Sequence, residues 1–288
     1  MMRPRLRIPL SRPCLGVPAQ AARPSFAQQS RSLHAVPTLN HIKKEEGIPG
    51  LMDPDTFKMT WEDYQTHIIH NLNRSTADTD FESADLKSII IKTAREPVFA
   101  SIFNHASMAH NNEFFFRCMS PKETIMPERL ELALTKSFGS IKTLREQVVH
   151  TAAAMFSPGF IWLCRIETPG NPNVFKILTT YSAGSPYPEA HWRRQEIETN
   201  TAIGQGSADG LKAGKTYLDN SAFGAGKPTA EAQKRLSLAP GGVGLEPILC
   251  LNTWEHVWLR QFGFQVGNKT GKQVFAENWW FRINWEVV

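Results

Sequence analysis

One stretch of the chain constrains the fold more than any other, because it joins an apparent strand to a helix through polar residues. The apolar run Ile248–Leu251 has strand character and stops at Asn252. Asn252 is a favoured helix-capping residue type, and the segment Trp254-Glu255-His256 follows with helical character. A strand that ends on a polar side chain, and leads into a helix with a histidine in its first turn, aims both residues at one buried point. Such a junction has the geometry of a metal site.

The residues of this junction resemble a family signature. Asn252-Thr253-Trp254-Glu255-His256-Val257-Trp258 is similar to the iron/manganese superoxide dismutase motif Asp-x-Trp-Glu-His-Ala-Tyr. In that family the Asp and the His are two of four metal ligands, so the resemblance implies that Asn252 and His256 stand at ligand positions. The frame of the motif is kept, but the anionic ligand has become a neutral amide.

Two further segments resemble the helices that carry the other ligands of the family. The segment Phe103–Phe116 matches the second family helix and places Asn112 where the family has a ligand histidine. An ungapped match of Phe57–Asn73 to the first family helix places Thr60 at the remaining ligand. The same match places Tyr64 where the family has a second conserved histidine.

The donor set at these four positions is unsuited to iron or manganese. Thr60, Asn112, Asn252 and His256 offer an alcohol, two amides and one imidazole. Neutral alcohols and amides are poor ligands for a divalent transition metal, and no anion remains to balance its charge. The family's glutamine beside the metal-bound solvent is replaced by Ala183. We therefore predict no metal, no cofactor and no catalytic residue at these degenerate ligand positions.

His256 then needs another role. One interpretation is a structural imidazole hydrogen-bonded to Asn252, and another is pairing with a carboxylate of a partner chain. In the dismutase family the Glu of Trp-Glu-His reaches across a two-fold interface to the ligand histidine of the other subunit. The resemblance therefore makes Tyr64, Glu255 and His256 interface candidates.

A relocated metal site is an open alternative, because the predicted helices carry other histidines. These are His67, His70, His105 and His110. Helical geometry turns His110 away from the side of the helix that Asn112 occupies, since the two residues are about 200° apart. Lone histidines are more often hydrogen-bonded structural residues than ligands.

The pattern and the resemblance together predict an α+β chain with the Fe/Mn superoxide dismutase-like fold. A helical hairpin is expected over residues 34–118, because apolar residues recur at helical spacing from Trp61 to Leu72. An α/β domain with a small antiparallel sheet is expected over 119–288. Two of its strands, within Trp162–Ile166 and Phe175–Thr180, alternate on either side of a Pro-Gly-Asn-Pro turn. A polar insertion at about 188–244 interrupts the resemblance.

The first 33 residues are predicted to be a mitochondrial transit peptide. The segment is rich in arginine and free of acidic residues, and Arg31-Ser32-Leu33 is a plausible processing region. The alternative is a basic tail that binds nucleic acid or membrane. Without its six arginines the chain has 26 basic residues against 27 acidic ones, and this near-neutral balance argues against a dedicated nucleic-acid module. The expected location is the mitochondrial matrix.

The cysteines show no spacing typical of a metal site. Cys14, Cys118, Cys164 and Cys250 are widely separated, and no CxxC pair occurs. Cys164 and Cys250 lie in apolar strand-like runs and are expected to be buried, reduced thiols.

The combined features resemble the superoxide-dismutase-like proteins of the fungal mitochondrial small ribosomal subunit. That resemblance implies a metal-free structural component that pairs with a second dismutase-like subunit and contacts other small-subunit proteins. Arg193-Arg194 and Lys234-Arg235 are candidate rRNA contacts, although exposed basic pairs are usually solvated surface. No membrane association is expected. Two alternatives stay open: a mitochondrial Fe/Mn superoxide dismutase, and a free-standing matrix binding protein.

Overall fold

The computed structural model describes residues 33–167, 174–191 and 244–288, which belong to one compact unit. Residues 1–32 of the predicted transit peptide, the predicted Pro-Gly-Asn-Pro turn and most of the predicted insertion lie outside the described residues. The same holds for the two basic pairs proposed as rRNA contacts.

The first helical part contains a widened turn. Its elements are α1 (Pro54–Phe57), a π-helical segment (Lys58–Asp63) and α2 (Tyr64–Thr76). Asp53 caps α1, because its side chain accepts a hydrogen bond from the Thr56 N–H at 2.7 Å. Trp61, Ile68 and Leu72 are buried, so the apolar stripe read from the sequence faces the core.

The next helices surround a central one. They are α3 (Leu86–Thr93), a 3-10 turn (Pro97–Phe99) and α4 (Ala100–Arg117). Helix α4 packs against both α2 and α3. Its buried residues occupy several sides of the helix and include Phe114, Phe115, Phe116 and the polar Asn111 and Asn112. Because the helix is buried on several sides, some of its polar side chains lie in the interior, where each needs a hydrogen-bond partner.

Two helices lead from this part to the sheet. Helix α5 (Glu128–Phe138) ends at Gly139, which has a φ of 84°, a conformation that glycine adopts without steric cost. Helix α6 (Ile141–Ala154) begins at Ser140, whose hydroxyl accepts a hydrogen bond from the Thr143 N–H at 3.0 Å.

The sheet is antiparallel with the order β2-β1-β3. Its strands are β1 (Gly159–Glu167), β2 (Val174–Tyr181) and β3 (Gly244–Asn252). Consecutive residues Phe160–Cys164 of the central strand are all buried, because both faces of β1 are covered. The register places Phe160 opposite Asn252 and Trp162 opposite Leu178. The predicted α+β class with a small antiparallel sheet is confirmed.

The remaining elements follow β2 and β3. They are α7 (Pro188–His191), α8 (Glu255–Phe262), β4 (Gln265–Val266), β5 (Lys269–Thr270) and α9 (Gly271–Trp280). Helix α9 packs against α6 and α8. The prediction that Asn252 caps the following helix is wrong, since the N-cap residue of α8 is Trp254. Thr253 remains bound to the sheet, with its N–H donating to the Gly159 carbonyl at 2.9 Å, so the helix starts later.

Within the described ranges, no helix is long and apolar enough to cross a membrane. Cys118, Cys164 and Cys250 are buried free thiols, as predicted for the latter two. Burial raises the pKa of the Cys118 and Cys164 thiols to about 12.

Candidate functional site

Three of the four degenerate ligand positions meet in the interior. Thr60 lies in the π-helical segment, Asn112 on α4 and Asn252 at the end of β3, and all three are fully buried. The Asn252 side-chain amide donates to the Asn112 Oδ1 at 3.4 Å. The Asn112 amide donates in turn to the Thr60 main-chain carbonyl at 3.3 Å. Elements distant in sequence are thus joined by hydrogen bonds at the point where the resemblance places a metal.

Gln65 completes this cluster, although sequence reasoning did not single it out. Its Oε1 accepts a hydrogen bond from the Asn112 Nδ2 at 3.0 Å, and its Nε2 donates to the Ala109 carbonyl at 2.9 Å. The sequence did contain a signal: Gln65 is a lone polar residue on the apolar face of α2, between Trp61 and Ile68 at helical spacing. We call Thr60, Gln65, Asn112 and Asn252 the amide cluster.

The atoms of the amide cluster that would bind a metal already have hydrogen-bond partners. The Thr60 hydroxyl donates to the Thr56 carbonyl at 2.7 Å. The Asn252 Oδ1 accepts from the Trp254 N–H at 2.9 Å, and the Asn112 Oδ1 accepts from Asn252. The cluster contains no carboxylate or thiolate, and its neutral oxygens are occupied. These residues do not fit iron or manganese.

His256 is oriented differently from the amide cluster. Its ring stacks on that of Tyr64, with a centroid separation of 4.2 Å and an interplanar angle of 38°. Among the described residues its Nε2 has no hydrogen-bond partner although solvent does not reach it. The predicted hydrogen bond to Asn252 is therefore wrong, because both polar groups of that amide bind elsewhere. The predicted pairing with a partner's carboxylate stays a prediction.

Burial governs the protonation of this stacked pair. Desolvation lowers the pKa of His256 to about 4, because burial disfavours the charged imidazolium. Desolvation also raises the pKa of the Tyr64 phenol to about 12. The pair is therefore neutral at physiological pH.

The other histidines on these helices do not form a substitute site. His110 is held by the Tyr187 hydroxyl at 3.0 Å and by the Asn111 side chain, away from the amide cluster. His67 binds the neighbouring Asn71, and His105 binds the Ser101 carbonyl one turn back. Throughout the part of the chain that the structure describes, no three His, Cys, Asp or Glu side chains are grouped so as to hold a metal ion.

Comparisons with known proteins find two groups of similar proteins, superoxide dismutases and small ribosomal subunit proteins. A family model for the C-terminal domain of iron/manganese superoxide dismutases matches residues 126–193. The small ribosomal subunit protein mS43 of Schizosaccharomyces pombe is 23% identical over 264 residues, which is 88% of this chain and 82% of that protein. The chain is thus similar to a small ribosomal subunit protein over most of its length. The small ribosomal subunit protein mS42 of the same organism is 24% identical, over 69% of this chain and 70% of that protein.

An iron superoxide dismutase is also similar, over a shorter part of the chain. The enzyme of Legionella pneumophila is 34% identical over 136 residues, which is 47% of this chain and 66% of the enzyme. The long match to the small-subunit proteins and the partial match to the enzyme confirm the predicted resemblance.

Proposed function

We propose that this chain is a structural component of the mitochondrial small ribosomal subunit, a dismutase fold without a metal that serves as a scaffold. The observation that carries the proposal is the amide cluster. Residues at ligand positions hold the π-helical segment, α4 and β3 together by hydrogen bonds, and Gln65 adds α2, so the positions of a reaction centre in the dismutase family serve here as part of the core. The similarity to mS43 over most of both chains supports the same function.

The structural role proposed for the chain requires no catalysed reaction. Superoxide dismutation needs a metal that changes oxidation state, and the amide cluster offers that metal neutral, already bonded oxygens. Buried amides that satisfy one another fix the register of the elements they join. We therefore propose that the chain is not an enzyme.

The proposed location is the mitochondrial matrix. The acid-free, arginine-rich segment of residues 1–33 supports import, and removal of that segment leaves a nearly neutral protein. A near-neutral body is suited to contacts with other proteins more than to contacts dominated by phosphate charge.

We further propose that the chain pairs with a second dismutase-like subunit. The surface in question, which we call the partner face, comprises Tyr64, Phe156, Trp254, Glu255 and His256. Two of its polar atoms, the Trp254 Nε1 and the His256 Nε2, are shielded from solvent and have no hydrogen-bond partner in the described part of the chain. A shielded polar atom without a partner costs about 1–3 kcal/mol, a penalty that a partner chain removes if its binding moves these rings enough to complete their hydrogen bonds.

Phe156 supports the same surface. Its side chain is 97% exposed. The Sδ of the preceding residue, Met155, lies 4.0 Å from the Thr253 hydroxyl. The main-chain carbonyl of Met155 accepts a hydrogen bond from the Lys272 ammonium, and that ammonium also experiences the negative charge of Glu255. The phenylalanine is thus close to the strand-to-helix junction. A large exposed aromatic ring near that junction is typical of an interface.

Sedimentation tests the proposed assembly. The full-length chain, tagged at its C-terminus and expressed in its own cells, would be followed through a density gradient of mitochondrial lysate. We expect it in the small-subunit fraction, and we expect it to stay there when magnesium depletion separates the two ribosomal subunits. Migration only in light fractions under both conditions would contradict the ribosomal role.

The second candidate function is a mitochondrial Fe/Mn superoxide dismutase, which the 34% identity to the Legionella enzyme favours. The test is dismutase activity of the purified full-length protein after refolding in the presence of manganese or iron. We expect no activity above that of the free metal. Activity proportional to bound metal would establish the enzyme and overturn the scaffold.

A further inference from the structure

Strand β2 forms an outer edge of the sheet, and the hydrogen-bond register shows which of its main-chain groups face outwards. The Thr253 N–H binds the Gly159 carbonyl, so the odd-numbered residues of β1 face β3. The even-numbered residues of β1 therefore pair with the even-numbered residues of β2. The Phe175 N–H, as expected, points away from β1 and donates to the Ser137 hydroxyl at 3.2 Å. Ile177 and Thr179 have the same outward orientation.

The N–H and C=O groups of Ile177 and Thr179 have no main-chain partner on the outer side within the described residues. An exposed strand edge of this kind is a template for another strand, and proteins usually obstruct it with proline or a bulge. Here the β1–β2 register is regular and β2 contains no proline. The charged side chain of Lys176 lies on the opposite face, because side chains alternate along a strand.

A groove follows this edge. It has a volume of about 590 Å³, and Ile177 and Thr179 line one wall. Helix α6 supplies the other wall, with Thr143, Gln147 and His150. A strand edge beside a helix gives an added strand main-chain partners on one side and side-chain contacts on the other.

The chemistry of the groove favours polypeptide over RNA. Its walls are mainly hydroxyl, amide and aliphatic groups, and the carboxylate of Glu146 lies 3.9 Å from the Lys142 ammonium. Neither Lys nor Arg lines the groove. A phosphate backbone needs positive charge, whereas the outward N–H and C=O groups alternate with the spacing of an extended peptide.

We propose that the β2 edge and α6 bind an extended, uncharged segment of another protein as a fourth strand of the sheet. The side chains that point into the groove would be small or β-branched, to fit between Ile177 and α6. A second copy of this chain does not fit as well. Helix α5 covers the start of β2 through Ser137, and α6 lines the groove beside Ile177 and Thr179, so a single extended segment fits better than the edge of a second folded sheet.

Cross-linking in cells tests the proposal first. The full chain would carry the photo-reactive amino acid benzoylphenylalanine at position 179, with a control at Val98, which is 89% exposed in the 3-10 turn. We expect position 179, but not position 98, to cross-link to one discrete segment of another protein. Adducts only with RNA, only with a second copy of the chain, or with nothing would overturn the proposal.

A synthetic peptide with the cross-linked sequence then tests the binding mode. We expect Thr179→Pro to weaken its binding to the full chain at least tenfold, because proline removes the outward N–H. Thr179→Val keeps that N–H and is expected to change the affinity less than twofold. Gln147→Trp, which fills the groove from α6 and leaves β2 unchanged, is expected to match the proline variant. Equal binding by the wild type and both blocking variants would overturn the proposal.

Discussion

The amide cluster and the partner face lie next to each other but differ in whether their shielded polar atoms have hydrogen-bond partners. In the amide cluster, polar side chains from α2, α4 and β3 are fully buried and bind one another. On the partner face, the Trp254 and His256 ring nitrogens are shielded but unpaired, and Phe156 is exposed. The hydrogen bonds of the first region are complete within the chain, whereas the second region has the features that we propose a partner completes. In the proposed function, the ligand positions of the dismutase family have become core, and the surrounding surface is left for binding.

The largest expected effect comes from breaking the amide cluster. Asn112→Leu has a similar volume but leaves the Gln65 oxygen, the Asn252 amide and the Thr60 carbonyl without their partner. We expect the free energy of unfolding to fall by about 3–4 kcal/mol, since each unpaired buried polar group costs about 1–3 kcal/mol. Urea denaturation would measure the change. Asn104→Leu, at an exposed position of the same helix, is the control and should change it by less than about 0.5 kcal/mol.

Acid is expected to destabilise the protein through its buried histidines. Burial lowers the pKa of His110, as of His256, from 6.5 to about 4. The unfolded chain therefore binds protons that the folded chain does not, so stability is complete above pH 6.5 and is lost as the pH falls towards 4. Each histidine contributes up to about 3 kcal/mol to this loss.

Urea denaturation at pH 7.5 and pH 5 would measure the acid effect. His110→Gln and His256→Gln should each reduce the difference in unfolding free energy between the two pH values. The exposed His70→Gln is the control. An unchanged difference in both buried variants would show that these histidines are not the cause.

A smaller effect, confined to association, is expected on the partner face. Phe156→Ala should weaken binding to the proposed second subunit about thirtyfold, or about 2 kcal/mol, because a buried aromatic anchor contributes on that scale. The free energy of unfolding of the chain itself should stay within about 0.5 kcal/mol. Titration calorimetry with the co-purified partner would measure the affinity. Ile125→Ala, at another exposed apolar residue, is the control, and an equal loss in both variants would contradict the assignment of this face.

The smallest effect is expected from restoring two ligands, because we expect this change to produce no dismutase activity. The double change Asn112→His and Asn252→Asp returns two family-like ligands to the amide cluster. We expect neither stoichiometric manganese nor dismutase activity, because Thr60 supplies no ligand and Ala183 no hydrogen bond to a bound solvent. Metal analysis and an activity assay on the same sample would detect recovery, and recovery would show that two substitutions alone separate this chain from an enzyme.

The sequence was informative where residues repeat a pattern or a motif. The strand pair around Trp162 and Phe175 followed from alternation, and the convergence of Thr60, Asn112 and Asn252 followed from the resemblance. The role of Gln65 was missed, because a single glutamine on an apolar face gives no indication of its partner 47 residues away. The start of α8 was misplaced, because the hydrogen bonds of Thr253 to Gly159 depend on a strand distant in sequence.

The orientation of His256 also lay beyond sequence reasoning. A motif places a histidine on a helix, but the side chain's direction depends on what packs beside it. Here the Tyr64 ring provides the stacking surface, and the Asn252 amide is already engaged with Asn112 and Trp254. The direction of a buried side chain depends on which neighbouring groups compete for its contacts, and a single sequence does not show which groups are neighbours.

We propose that this dismutase-like chain works without a metal in the small ribosomal subunit. Elemental analysis of the native protein, purified from mitochondria and recorded together with its sedimentation, tests it most directly. We predict far less than one manganese or iron per chain, in protein that sediments with the small subunit. One manganese or iron per chain, in a light fraction the size of a dimer, would contradict the claim and make the protein an enzyme.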